Sequence, residues 1–166
     1  MKFAIIGDLH LPKSDYYPEG YFTIIRRHIE DEKPEDIFQK IEVTTNLDEA
    51  VEKADYIQES VPERYSIKKE IFRRIDSSTQ PQTIIASSTS TLKMTRIQEV
   101  TEHPKRCIIA HPWNPPHLMP LVEIIPGKRT SLETVEATRS FMTTLGKVVV
   151  LQKKETAGSI GNRLAA

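Results

Sequence analysis

A single cysteine, Cys107, leaves the chain of 166 residues with no internal disulfide framework and no zinc site built on cysteine thiolates. That scarcity fits a reducing compartment, so a cytoplasmic location is expected. Net charge is lacking as well. Lysine plus arginine and aspartate plus glutamate number 23 each, so no global field draws the chain to phosphate backbones or acidic lipid. Neither nucleic acid nor a membrane is an expected partner. Long apolar runs are missing: the longest are strand-sized, such as 148–151, and the first residues do not show the charged-then-apolar layout of a secretion signal. Repeats, low-complexity tracts and glycine- or serine-rich linkers are absent too, so residues 1–166 are expected to form one domain. A chain of this length buries roughly two-thirds of its unfolded surface, enough for a sizeable core.

What is present is an alternation of short apolar runs and amphipathic stretches. Residues 2–6 form an apolar run ending at Gly7, which suits a buried strand with a tight exit turn. Pro12, Pro18 and Gly20 break periodicity and predict a loop over 11–20. Phe22, Ile25 and Ile29 recur at helical spacing, and Pro34 follows, so a helix is predicted over 21–32. Beyond Pro34 the reading is a helical turn to residue 40, a strand at 41–44, a helix capped by Asn46, and a strand at 56–59. Pro62 opens a helix over 63–75, followed by a strand at 83–87 and a helix over 92–100. Strands at 107–110 and 121–125, a helix over 132–145 stopped by Gly146, and a strand at 148–151 complete the series. Such alternation predicts an α/β fold, Rossmann-like and doubly wound, with a mainly parallel sheet, helices on both faces and a shortened N-terminal strand-helix unit. Ligands of such sheets sit beyond the carboxyl ends of the strands.

The chemistry concentrates in 108–125, where His111 follows a strand directly and four prolines, Pro112, Pro115, Pro116 and Pro120, turn the chain back into a strand carrying Glu123. His111 and Glu123 can then face each other. Oxidising a secondary alcohol needs a base for the hydroxyl proton, which imidazole supplies near neutrality, and a carboxylate behind it fixes the tautomer and favours the protonated form. The competing reading, a capped loop histidine and a solvated strand glutamate, is equally compatible with the spacing. His117, in the same loop, has no orienting acid nearby and reads as structural.

These residues carry a resemblance. From about residue 46 to 163 the chain resembles the NAD-binding domain of the L-3-hydroxyacyl-CoA dehydrogenase family. The similar branch is the one containing lambda-crystallin, L-gulonate 3-dehydrogenase and carnitine dehydrogenase. The motifs are Ala54 to Glu63 (ADYIQESVPE), Ile67 to Glu70 (IKKE), Ala86 to Thr91 (ASSTST), the His111 loop, and Gly161-Asn162-Arg163. The resemblance implies His111 as the base, Glu123 as its partner, Ser90 bonded to the substrate hydroxyl and Asn162 near the carbonyl side. It implies Glu63 and Lys68 at the nicotinamide ribose and carboxamide, with Gly7, Ser88 and Asn114 completing the contacts to NAD. Without it, Ser90 reads as a helix cap, Glu63 as a first-turn carboxylate, Lys68 as part of a solvated face and Asn162 as a turn residue. The substrate implied is a small L-3-hydroxy acid or its CoA thioester, and the Ala110 to Pro116 loop and Gln58-Glu59 resemble the branch that takes free hydroxy acids.

Two stretches depart from the family pattern. After Gly7 come Asp8, Leu9, His10, Leu11 and Pro12 in place of the second and third glycines of G-x-G-x-x-G, and the region is short by about one strand-helix unit. Residues 1–33 therefore read as a divergent part and 34–166 as the family-like part. The sequence also stops after Gly161-Asn162-Arg163, where the family continues into a helical domain, so a homo-oligomer or a partner supplying that part is expected, with weak or no turnover in isolation. Two alternatives stand beside the enzyme: a non-catalytic remnant or partner-dependent subunit, and a metallophosphoesterase-like protein, since Asp8 and His10 resemble a D-x-H metal motif.

Overall fold

The computed structural model describes residues 2–7, 22–26, 41–116, 118–156 and 158–160. Strands β1 (Lys2–Gly7), β2 (Phe22–Arg26) and β3 (Ile41–Thr44) precede helix α1 (Leu47–Val51), β4 (Tyr56–Ser60) and helix α2 (Tyr65–Ser78). Next come β5 (Ile84–Ser87), the short helix α3 (Met94–Ile97) continued by a 3-10 turn (Gln98–Val100), and a second 3-10 turn (Pro104–Arg106). Strands β6 (Cys107–Pro112) and β7 (Leu121–Pro126), helix α4 (Leu132–Thr144) and β8 (Val148–Leu151) follow. Among the described residues, eight strands join one sheet in the order β3-β2-β1-β4-β5-β6-β7-β8. Pairs β1/β4, β4/β5, β5/β6 and β7/β8 are parallel, whereas β1/β2, β2/β3 and β6/β7 are antiparallel.

Local sequence explains most of these elements. The side chain of Asn46 accepts from the Asp48 and Glu49 amides and starts α1, and Ser131 accepts from the Thr134 amide and starts α4. Gly146, at φ 72°, lets the chain leave α4 while the Gly146 and Lys147 amides bond the Thr143 and Met142 carbonyls. Side-chain alternation along the strands then divides the core in two. Ala4, Ile6, Ile57, Ile85, Ile109 and Ile125 face α1, α2 and α3. Tyr56, Ile84, Ala86, Ile108, Ala110, Val122 and Ile124 face α4, where Tyr56 packs on Phe141 with ring centroids 4.7 Å apart. Strands covered on both sides read as unbroken apolar runs for this reason, and each fully buried isoleucine contributes about 1.5–3 kcal/mol.

The predicted helix over 21–32 is corrected: Phe22–Arg26 is a strand between β1 and β3. Two β-hydrogen-bonded neighbours, β1 and β3, outweigh a helical spacing that Thr23, Ile24 and Ile25, β-branched in series, support only weakly. The loop expected over 11–20 and the turn expected over 34–40 lie outside the described residues. The helix expected over 92–100 is broken into α3 and the 3-10 turn.

Candidate active site

The parallel strands β1, β4, β5 and β6 end at Gly7, Ser60, Ser87 and Pro112, and this shared carboxyl edge collects the polar residues. His111 lies directly opposite Glu123 in the β6/β7 ladder, so both side chains leave the same face, two residues beyond Ile109 and level with Ile125's neighbour on the return strand. Their contact is short: His111 Nδ1 to Glu123 Oε2 is 3.0 Å, with the side chains 13% and 3% exposed. Trp113 Nε1–H donates to the same oxygen at 3.2 Å. A carboxylate at Nδ1 holds the ring proton there and leaves Nε2 as the acceptor. No hydrogen bond engages Nε2 among the described residues. Behind the pair, the buried Tyr56 hydroxyl donates to Gln58 Oε1 at 2.8 Å and Gln58 Nε2 donates to the Ala110 carbonyl at 3.1 Å, which pins the backbone preceding His111. Burial pushes the Tyr56 phenol far up, so it stays a neutral donor.

A second cluster sits at the ends of β4 and β5. Lys68 Nζ meets Glu59 Oε1 at 2.7 Å with both side chains at most 1% exposed, and it also donates to the Val61 carbonyl at 2.9 Å. The Ser87 hydroxyl donates to Glu59 Oε2 at 2.6 Å, and the Thr89 amide donates to Ser87 Oγ at 3.2 Å. Burial pushes the Glu59 carboxyl up, opposed by the Lys68 charge and by the bonds from Lys68, Ser87 and Val61. Glu63, exposed and 3.6 Å from Lys68, gathers the turn after β5: its Oε1 accepts from Thr89 Oγ1 (2.5 Å), the Ser90 amide (3.1 Å), the Thr91 amide (2.9 Å) and Thr91 Oγ1 (2.8 Å). Burial alone would raise this carboxyl, but the bonds from Thr89 and Thr91 and the Lys68 charge outweigh it and hold Glu63 below the ordinary range.

The structure therefore brings together His111 and Glu123 on one ladder rung, and Glu63 and Lys68 in a network under the Ser90 turn. Lys68 is not the solvated residue that its helical position suggests. Ser88 bonds Ser60 across the strand ends (Oγ to Oγ 2.9 Å), and Gly7 is the register partner of Ser60. Ser90 lines a pocket with Thr89, Leu92, Ile109, Ile125 and Ser159. Asn114 is exposed on the proline loop. Asn162, His117, Asp8 and His10 lie outside the described residues. Among the described residues no group of three or more histidine, cysteine, aspartate or glutamate side chains could hold a metal, and no helix is long and apolar enough to cross a membrane. Two participants were missed by sequence reasoning. Trp113 could have been found as an aromatic two residues past the histidine and so on its face of the strand, and Glu59 as an acid inside an apolar strand.

Residues 22–156 match the family described as 3-hydroxyacyl-CoA dehydrogenase, NAD binding domain. L-carnitine dehydrogenase from Pseudomonas putida is 42% identical over 125 residues, 75% of this chain and 39% of that protein. The human lambda-crystallin homolog is 44% identical over 119 residues, 72% of this chain and 37% of that protein. The chain thus spans about two-fifths of the length of these relatives. The solved structure of a 3-hydroxyacyl-CoA dehydrogenase from Archaeoglobus fulgidus superposes with a TM-score of 0.71 at 37% identity, covering 80% of this chain and 45% of that one.

Proposed function

This chain belongs to the 3-hydroxyacyl-CoA dehydrogenase family through its NAD-binding domain, and from that premise we propose that it serves an NAD-dependent dehydrogenase oxidising the 3-hydroxyl of an L-3-hydroxy acid or its CoA thioester. The observation that carries the reading is the 3.0 Å contact between His111 Nδ1 and Glu123 Oε2 at the carboxyl edge of the sheet. A secondary alcohol gives up hydride only as its hydroxyl proton departs. His111 takes that proton on Nε2, and Glu123 stabilises the imidazolium that results. Trp113 holds the carboxylate in place. Ser90 hydrogen-bonds the substrate hydroxyl, and Asn162 positions the carbonyl side.

The residues present fit the nicotinamide half of the cofactor: Gly7 ends β1 beside Ser60, Ser88 bonds Ser60, and Glu63 with the buried Lys68 braces the adjoining turn. Bound NAD supplies the hydride acceptor. Glu63 and Lys68 shape the turn on which the nicotinamide ribose rests, and Asn114 reaches it from the proline loop. Similarity to L-carnitine dehydrogenase favours a free hydroxy acid over a thioester. Closing the cleft over the substrate falls to protein outside the matched domain, in the same chain or a partner copy.

The test is NADH formation with L-carnitine, L-gulonate, L-3-hydroxybutyrate and 3-hydroxybutyryl-CoA in turn. One of them is expected to be oxidised, with His111→Ala lowering turnover by about 10²–10⁴-fold while NADH affinity is kept. Undiminished turnover in that variant removes His111 as the base.

A further inference from the structure

The pocket beside Ser90 contains a hydroxyl that nothing uses. Ser159 is 1% exposed, and its Oγ has no hydrogen-bond partner among the described residues. A buried, unpaired hydroxyl carries its full desolvation penalty, which makes it a group waiting for a ligand rather than a fold contact. Its position is built. Gly158 adopts φ 79°, a conformation that favours glycine, and the turn it makes lets the Ser159 amide donate to the Ser90 carbonyl at 3.0 Å. Ser159 and Ser90 thereby line one pocket, over a floor of Ile109 and Ile125. These floor residues stand on the same two strands and the same face as His111 and Glu123.

Neighbouring acceptors are committed elsewhere. Both Glu155 oxygens hold Thr95, one by its amide and one by its hydroxyl, and Thr156 Oγ1 accepts from Gln152 and donates to the Gly158 carbonyl. Ser90 Oγ also has no partner among the described residues, and Lys93, at the rim, is exposed. With Ser90 given to the substrate hydroxyl, the Ser159 hydroxyl and an ammonium beside an apolar floor suit a short carbon chain ending in a strong oxygen acceptor.

Resting on the dehydrogenase reading above, we infer that Ser159 donates a hydrogen bond to the acyl oxygen of the substrate, seating C1 on the Ile109 and Ile125 floor while the 3-hydroxyl faces His111. That oxygen belongs either to a free carboxylate or to a thioester carbonyl. Ser159 is then a specificity-determining residue and takes no part in proton or hydride transfer.

The experiment titrates acetoacetate and, separately, acetoacetyl-CoA into the full chain saturated with NADH, by calorimetry, for the wild type and Ser159→Ala. Affinity for one of the two is expected to fall about tenfold, and the ligand affected names the source of the oxygen. The melting temperature is expected to hold or rise, since the replacement removes an unsatisfied buried group. Equal affinity in both proteins, no binding of either ligand to the NADH-bound wild type, or a melting temperature that falls along with affinity overturns the inference. NADH binding is read first: its absence in the wild type sinks the dehydrogenase reading itself, whereas intact NADH binding with an indifferent Ser159→Ala sinks only the role of Ser159.

Discussion

Replacing Lys68 with methionine removes one partner of an ion pair whose 2.7 Å contact is closed to water on both sides. Methionine keeps the length of the stem, so the change strands the Glu59 carboxylate with only the Ser87 hydroxyl and Val61 amide for support. Breaking such a pair costs about 3–5 kcal/mol, against about 0–1 kcal/mol for an exposed pair. At 2–4 °C per kcal/mol for a chain of this size, the melting temperature is expected to drop by about 10 °C. The double variant Glu59→Gln with Lys68→Met is expected to recover part of the loss, because no charge is then left buried. The pH dependence follows from the direction of the Glu59 shift. Burial already raises this carboxyl, and deleting Lys68 removes the charge that opposes the rise. The folded variant then holds a proton that the unfolded chain has released above about pH 4.3, so its stability declines as pH increases. Urea denaturation followed by circular dichroism at pH 5 and pH 8 reads both effects. A loss below about 1 kcal/mol, or a loss larger at pH 5 than at pH 8, refutes the reasoning.

Two further changes test the frame around the site. Asp76→Asn leaves the buried Arg106 guanidinium, now held through Nε (3.1 Å) and Nη2 (2.7 Å) on Asp76 Oδ1, without a counter-charge, and about 3–5 kcal/mol of stability is expected to go. Burial would raise the Asp76 carboxyl, but Arg106 and the Glu102 and His103 amides outweigh it and hold it low. Its stabilisation is therefore complete above about pH 4 and is lost as pH falls through the lower folded value, so acid melting curves should flatten in Asp76→Asn. Gly127→Ala would place a Cβ 2.2 Å from Oε1 of Gln98, a fully buried side chain anchored to the Pro104 carbonyl and the Arg129 amide, and 3.0 Å from the Thr95 amide. A loss of about 1–3 kcal/mol in urea denaturation is expected, and a neutral result would show that Gln98 can move.

From Ile41 onward the alternation of strand and helix was legible because elements carry their own punctuation: Asn46 as a cap, Pro62 before a helix, Gly146 after one. The stretch containing Phe22, Ile25 and Ile29 misled because a period near 3.6 and a β-branched run coexist there, and strand pairing with β1 and β3 is a long-range effect that no window contains. The His111 and Glu123 rung was legible because prolines between two apolar runs force a reversal, and a reversal between strands puts facing residues on one side of the sheet. Spacing left open whether the two would touch. The Glu59, Lys68 and Ser87 cluster was not legible, since α2 places Lys68 on a helix whose apolar periodicity says nothing about a buried acid on another strand. Ser159 escaped for a similar reason: only coordinates reveal that a hydroxyl in a glycine-flanked turn is closed to water and unpaired.

A titration of the full chain with NADH, read by nicotinamide fluorescence, bears most directly on the cofactor-binding role. Saturable enhancement at sub-millimolar cofactor, retained in His111→Ala, is the expected result. A flat signal up to millimolar NADH would contradict it, leaving a sheet of the right architecture whose carboxyl edge holds no nicotinamide.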